Sequence, residues 1–73
     1  MQKLPVLSSR EVVRIFKKFG WVVIRQRGSH IILIKEGKNI TLSIPDHKEV
    51  AKGTLKVLIS SAGLTIEEFI SSI

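Results

Sequence analysis

The chain has 73 residues, 44% hydrophobic and 25% charged, with 12 Lys and Arg against 6 Asp and Glu and a net charge of +6. That length supports one domain, residues 1–73, burying only about 60% of its unfolded surface. With no cysteine, a disulfide framework and a thiolate metal site are excluded.

Apolar runs such as Ile31-Ile32-Leu33-Ile34 are far too short to cross a bilayer. Residues 1–5 lack the apolar centre of a signal peptide, so a cytoplasmic protein with no membrane association is expected. The basic excess on so small a surface favours a polyanionic or acidic partner. Solubility alone would also be served by such a charge.

Ser8 followed by Glu11 reads as a capping box opening a first helix, with Leu7 and Val12 placed as a staple. Val12, Val13, Phe16 and Phe19 recur at helical spacing and predict its buried stripe, leaving Arg10, Arg14, Lys17 and Lys18 to solvent. Gly20 ends the helix.

Residues 21–27, 30–35 and 40–44 are rich in β-branched and aromatic side chains. Gly28-Ser29 joins the first two runs as a two-residue hairpin turn, and residues 36–39 join the second and third. The result is a three-stranded antiparallel meander. With Gly28-Ser29 and Gly37-Lys38 as the loops, Arg27 faces His30, Ile24 faces Leu33, Leu33 faces Leu42 and Ile31 faces Ile44. Val22, Ile24, Ile31, Leu33, Ile40, Leu42 and Ile44 then share an inner face. Arg25, Arg27, His30, Thr41 and Ser43 share an outer one with Trp21, Val23, Ile32 and Ile34.

Pro45 ends the third strand. Residues 46–49 form a connection in which Asp46 and Glu49 can cap. Residues 52–62 read as a second helix with Leu55, Leu58, Ile59 and Ala62 inward, although Gly53 weakens its first turn. Gly63 stops it. Thr65 and Glu68 form a second capping box for a short third helix that buries Phe69, Ile70 and Ile73. The fold class is α+β, ordered α-β-β-β-α with a short C-terminal helix, the helices on one sheet face and the other face open. Double-stranded-RNA-binding domains share this order of elements, an analogy that does not settle function.

His30 is the leading candidate for chemistry. It falls on the open face, where core packing does not explain it, beside Arg25 and Arg27, whose cations suit a phosphate substrate. Ser29 joins them at the turn. The strand register brings His47 towards the same end, either as an auxiliary acid or base or as a loop residue that bonds backbone. Two histidines with Asp46 match no metal-ligand spacing, so neither metal nor cofactor is expected. Lys48, Lys52 and Lys56 recur every fourth residue, a stripe that can track RNA phosphates or serve as a solvated helix face. Trp21 either stacks a base or closes the sheet edge. Ile32 and Ile34, apolar on an open face, mark a protein-binding surface that an inhibitor or a second copy in a homodimer could cover.

Gly20-Trp21, Arg25-Gln26-Arg27-Gly28-Ser29-His30, Ile44-Pro45-Asp46-His47, Lys52-Gly53-Thr54-Leu55, Ala62-Gly63-Leu64 and Glu67-Glu68-Phe69 occur in that order. Together they resemble the HicA (YcfA-like) toxin family over nearly the whole chain. The resemblance implies an mRNA interferase on a double-stranded-RNA-binding-like fold, the toxin of a type II toxin–antitoxin pair, neutralised by a HicB antitoxin. It implies that His30, in the Gly-Ser-His motif, is the catalytic histidine. His47 matches the histidine after the strand proline without acquiring a catalytic role by analogy. The run Ile31-Ile32-Leu33-Ile34 is more apolar than is usual in the family, and Trp21 stands where Phe or Tyr is more usual. The expected substrate is single-stranded or messenger RNA. A non-catalytic RNA-binding module using the same basic face is the alternative, and a pure interaction protein a third.

Overall fold

Helix α1 (Ser9–Lys18) begins where Ser8 leaves the extended region, and both halves of its capping box form. The Ser8 hydroxyl accepts from the Glu11 N–H at 3.2 Å, and the Glu11 carboxylate accepts from the Ser8 N–H at 3.0 Å. Val12, Val13, Ile15 and Phe16 are buried, and Phe19, at the C-cap, is half-buried. The computed structural model describes residues 3–73; Met1 and Gln2, part of the stretch read above as lacking a signal sequence, lie outside it. No helix among the described residues is long and apolar enough to cross a membrane.

Strands β1 (Val22–Arg27), β2 (His30–Ile34) and β3 (Leu42–Pro45) form one antiparallel sheet in the order β1-β2-β3. The β2–β3 register is the one the sequence predicts, with Leu33 opposite Leu42, Ile31 opposite Ile44 and His30 opposite Pro45. Next to the turn the β1–β2 register also agrees, with Arg27 opposite His30, Gln26 opposite Ile31 and Arg25 opposite Ile32.

Beyond Arg25 the agreement ends. Val23, not Ile24, pairs with Leu33, and the register shifts between Val23 and Arg25. Ile24 is therefore an extra residue, a β-bulge that reverses the alternation of side chains across it. Val22 and Ile24, expected inside, are 57% and 44% exposed. Trp21 and Val23, expected on the open face, turn inward: Trp21 is 1% exposed and Val23 packs on the core. Trp21 meets Phe16 edge-on with ring centroids 6.5 Å apart, and Phe16 in turn packs on Phe69 at 5.2 Å. The indole is thus a core residue and no platform for a base. Ile40 lies outside β3 and is exposed.

Helix α2 (Lys52–Ser61) buries Leu55, Leu58 and Ile59. Its N-cap is Ala51, with no side-chain cap, so neither Asp46 nor Glu49 serves it. Helix α3 (Ile66–Ser71) opens with the Thr65–Glu68 capping box and buries Phe69, while Ile73 stays exposed. Leu4, Leu7 and Val50 complete the core. A backbone bond from the Val50 N–H to the Leu7 carbonyl at 2.8 Å ties two of these segments together. Leu33, Leu42 and Ile44 bury one sheet face against the helices, and the other face remains open.

Candidate functional site

The β1–β2 hairpin turns at Gly28, whose φ of +57° is the left-handed conformation such a turn demands. Nothing lies within 4 Å of where a Cβ would stand there, so backbone conformation alone calls for glycine. The turn delivers His30 to the first position of β2, opposite Arg27 on one side and Pro45 on the other. His30, Arg27 and Arg25 are exposed. Among the described residues no hydrogen bond occupies the His30 ring.

Arg27, His30, Ile32 and Ser43 line an open depression of ≈ 260 Å³. Arg25 lies opposite Ile32, at the next outward position along β1. The arrangement offers an imidazole and a guanidinium on one rung, with a second guanidinium two rungs away. It suits a phosphodiester: Arg presents a fork of N–H donors to phosphate oxygens, and imidazole can accept or donate a proton.

The remaining expected site residues are distributed more widely. Ser29 sits in the turn, where its carbonyl accepts from the Asp46 N–H at 2.7 Å. His47 does not line the His30 depression. It lines a separate cleft of ≈ 250 Å³ with Ser8, Ser9, Arg10, Asp46 and Lys48, and its carbonyl accepts from the Ser9 N–H at 3.0 Å. Lys48 belongs to this connection and not to α2, which begins at Lys52. Only Lys52 and Lys56 therefore share the helix, both exposed, and the three-lysine stripe is broken. Ile32 is half-buried and Ile34 is 39% exposed. The bulge adds Val22 and Ile24 to the exposed apolar residues of β1.

The sequence reading weighed Asp46 only as a cap and as a metal ligand, and gave Gln26 no role of its own. One Asp46 carboxylate oxygen accepts from the Ser9 hydroxyl at 3.0 Å and the other from the Gln26 side-chain amide at 2.9 Å. A signal for this existed: the register sets Pro45 level with His30, so residue 46 must come alongside the turn. A larger groove of ≈ 340 Å³ runs between α1 and the sheet, with Val13, Val23 and Ile31 among its lining residues beside Arg10, Arg14 and Lys17. The acidity of Glu11 departs from its ordinary value. The Ser8 N–H and hydroxyl, assisted by Arg14, hold its carboxyl below the usual range against a small opposing effect of burial.

The family model described as "HicA toxin of bacterial toxin-antitoxin" matches residues 9–64, more than half of the chain. Among solved structures, the chain is similar to one from "Toxin-Antitoxin complex from Streptococcus pneumoniae" at 30% sequence identity and a TM-score of 0.70. The match covers 80% of this chain and 98% of that one. No curated protein sequence matches the chain. The match extends from the start of α1 past the end of α2 and takes in the whole sheet with its Gly-Ser-His turn. The chain belongs to the HicA family of toxins of bacterial toxin–antitoxin systems.

Proposed function

We propose that the protein is a metal-independent endoribonuclease that cleaves mRNA with His30 as its general base. The observation that carries this reading is the placement of His30: exposed, on the same rung as Arg27, at the end of a turn held by bonds from outside it. The His30 imidazole takes the proton of a ribose 2′-OH, and the 2′-oxygen attacks the adjacent phosphorus. The bond from phosphorus to the 5′-oxygen breaks, and that oxygen takes a proton from the imidazolium or from water. The products are a 2′,3′-cyclic phosphate and a 5′-hydroxyl. DNA lacks the nucleophile and is not cleaved. General base catalysis of this kind is typically worth ~10²–10⁴-fold. Arg25 and Arg27 offset the charge that builds on the phosphoryl oxygens, while Ser29, Lys48, Lys52 and Lys56 hold neighbouring phosphates. The activity belongs in the cytoplasm, where mRNA is found.

The antitoxin in this reading is a HicB-like protein that covers Ile32 and Ile34, together with Val22 and Ile24. Its support is the exposed apolar side chains on the open side of the sheet and a structural neighbour taken from a toxin–antitoxin complex. Expression of wild type and His30→Ala without antitoxin tests the nuclease reading. RNA decay should occur in the wild type alone and persist in the presence of a chelator. Equal decay in both variants would remove His30 from the chemistry. Salt-dependent RNA binding with no cleavage products would make the protein a non-catalytic RNA-binding module.

A further inference from the structure

Asp46 makes three hydrogen bonds beside the turn that precedes His30, and its partner Gln26 makes a fourth to the turn itself. Its two carboxylate oxygens accept from Ser9 on α1 at 3.0 Å and from the Gln26 amide on β1 at 2.9 Å. The same Gln26 nitrogen donates to the Gly28 carbonyl at 3.3 Å, and the Asp46 N–H donates to the Ser29 carbonyl at 2.7 Å. Both turn carbonyls are therefore held by groups outside the turn, and both holds converge on one residue. Ser9, which anchors the far side of the clamp, is 3% exposed, the one buried polar residue among the described residues.

We infer that Asp46, acting through Gln26, is a positioning residue for His30: it fixes the Gly28-Ser29 turn and with it the first position of β2. The inference rests on the reading of His30 as the base. The clamp requires an acceptor that faces Gln26. The Ser9 hydroxyl can donate or accept, so an amide at 46 can turn its NH₂ to Ser9 and its oxygen to Gln26, and Asp46→Asn keeps both links. A leucine of similar size offers no acceptor to either. Asp46→Leu therefore cuts both side-chain bonds and loosens the turn. Gln26→Met removes the same link without changing charge, at an exposed position where folding is not at stake. Ser9→Ala cuts the clamp on its α1 side alone and leaves the Asp46–Gln26–Gly28 chain intact.

Steady-state cleavage of a mixed-sequence single-stranded RNA oligonucleotide, with binding measured in a His30→Ala background and thermal melts on every variant, tests the inference. Misplacing a reacting group by about 1 Å can cost ~10²-fold in rate. Asp46→Leu and Gln26→Met are therefore expected to lower kcat at least about ten-fold. KM should stay unchanged in Gln26→Met. In Asp46→Leu it should stay unchanged or fall, because removing a negative charge favours phosphate binding. Ser9→Ala should lose thermal stability and keep kcat within about two-fold. Wild-type kcat in folded Asp46→Leu and Gln26→Met, or a loss confined to KM, overturns the positioning role and leaves the nuclease reading standing. A wild type that binds the RNA without cleaving it overturns the nuclease reading and this inference with it.

Discussion

Arg27 stands directly opposite His30 on the last rung of the β1–β2 ladder, so both side chains leave the same face of the sheet at its turn end. A phosphate placed over the imidazole would lie within reach of the guanidinium, which makes this arginine the nearest counter-charge to the proposed reaction. Arg27→Gln should weaken RNA binding across all sequences and lower the slope of log affinity against log salt by about one contact. Titrations in the His30→Ala background at several salt concentrations read the effect. An unchanged slope would mean that Arg27 meets no phosphate.

Gly28 is held at φ +57° in open space. A methyl group there meets no neighbour, so any penalty comes from the backbone alone. Gly28→Ala should cost about 1–2 kcal/mol, with Gly28→Asn intermediate because asparagine visits the left-handed region more readily. Urea unfolding of the three proteins gives the order directly; an alanine variant as stable as wild type would mean that the turn relaxes to another conformation.

The Trp21 indole is buried and its Nε1–H has no partner. Burying an unsatisfied donor costs about 1–3 kcal/mol, while the ring supplies edge-on packing to Phe16. Trp21→Ala should lose about 3–5 kcal/mol. Trp21→Phe removes the stranded donor and keeps an aromatic ring, so its loss should be under half as large. Melting temperatures and urea midpoints distinguish the two variants.

The depressed acidity of Glu11 makes the α1 cap sensitive to acid. Its folded carboxyl titrates below the ordinary range because the ionised form accepts from Ser8. Its contribution is therefore complete at neutral pH and is lost as pH falls through the folded value. Melts from about pH 7 to about pH 3 should show a steeper decline for wild type than for Glu11→Gln, which cannot lose a charge. Parallel curves would show that the capping carboxylate carries none of the acid sensitivity.

Ile34 is exposed on the open face, in the surface assigned to the antitoxin. Ile34→Lys adds a charge where a partner would need an apolar contact. It should weaken binding of the cognate HicB-like antitoxin at least about ten-fold, with RNA cleavage by the free toxin within about two-fold of wild type. Isothermal titration against purified antitoxin measures the first and product analysis the second. Wild-type affinity would place the interface elsewhere.

How legible this architecture is in the sequence depends on where polar residues fall. Around the turn, Arg25, Gln26, Arg27, Gly28, Ser29 and His30 give an unambiguous phase, and the pairs Arg27–His30 and His30–Pro45 follow from it. Farther back, Trp21-Val22-Val23-Ile24 contains no polar residue to mark a face, so the bulge at Ile24 leaves no trace in the pattern. The burial of Trp21 and the exposure of Val22 follow from packing against Phe16, which alternation cannot encode. Lys48 looked like the foot of a helical stripe because it precedes Lys52 by four residues. The chain still crosses from β3 at that point, and Val50 must reach the core before α2 can begin. The register already sets residue 46 beside the turn, but the bonds that link residues 9, 26, 28 and 46 become visible only after α1 is docked.

The bulge at Ile24 also bears on self-association. β1 is an edge strand of the sheet, with backbone groups along one side that no neighbouring strand takes up. A flat edge of this kind invites a further strand, and identical chains supply one most readily. An extra residue midway along the edge increases the local twist and breaks the run of evenly spaced donors and acceptors. The exposed Arg25 and Arg27 add like-charge repulsion between two such edges. The irregularity that hides the register of β1 from the sequence therefore also protects a small, apolar-faced protein from stacking edge to edge before its partner arrives.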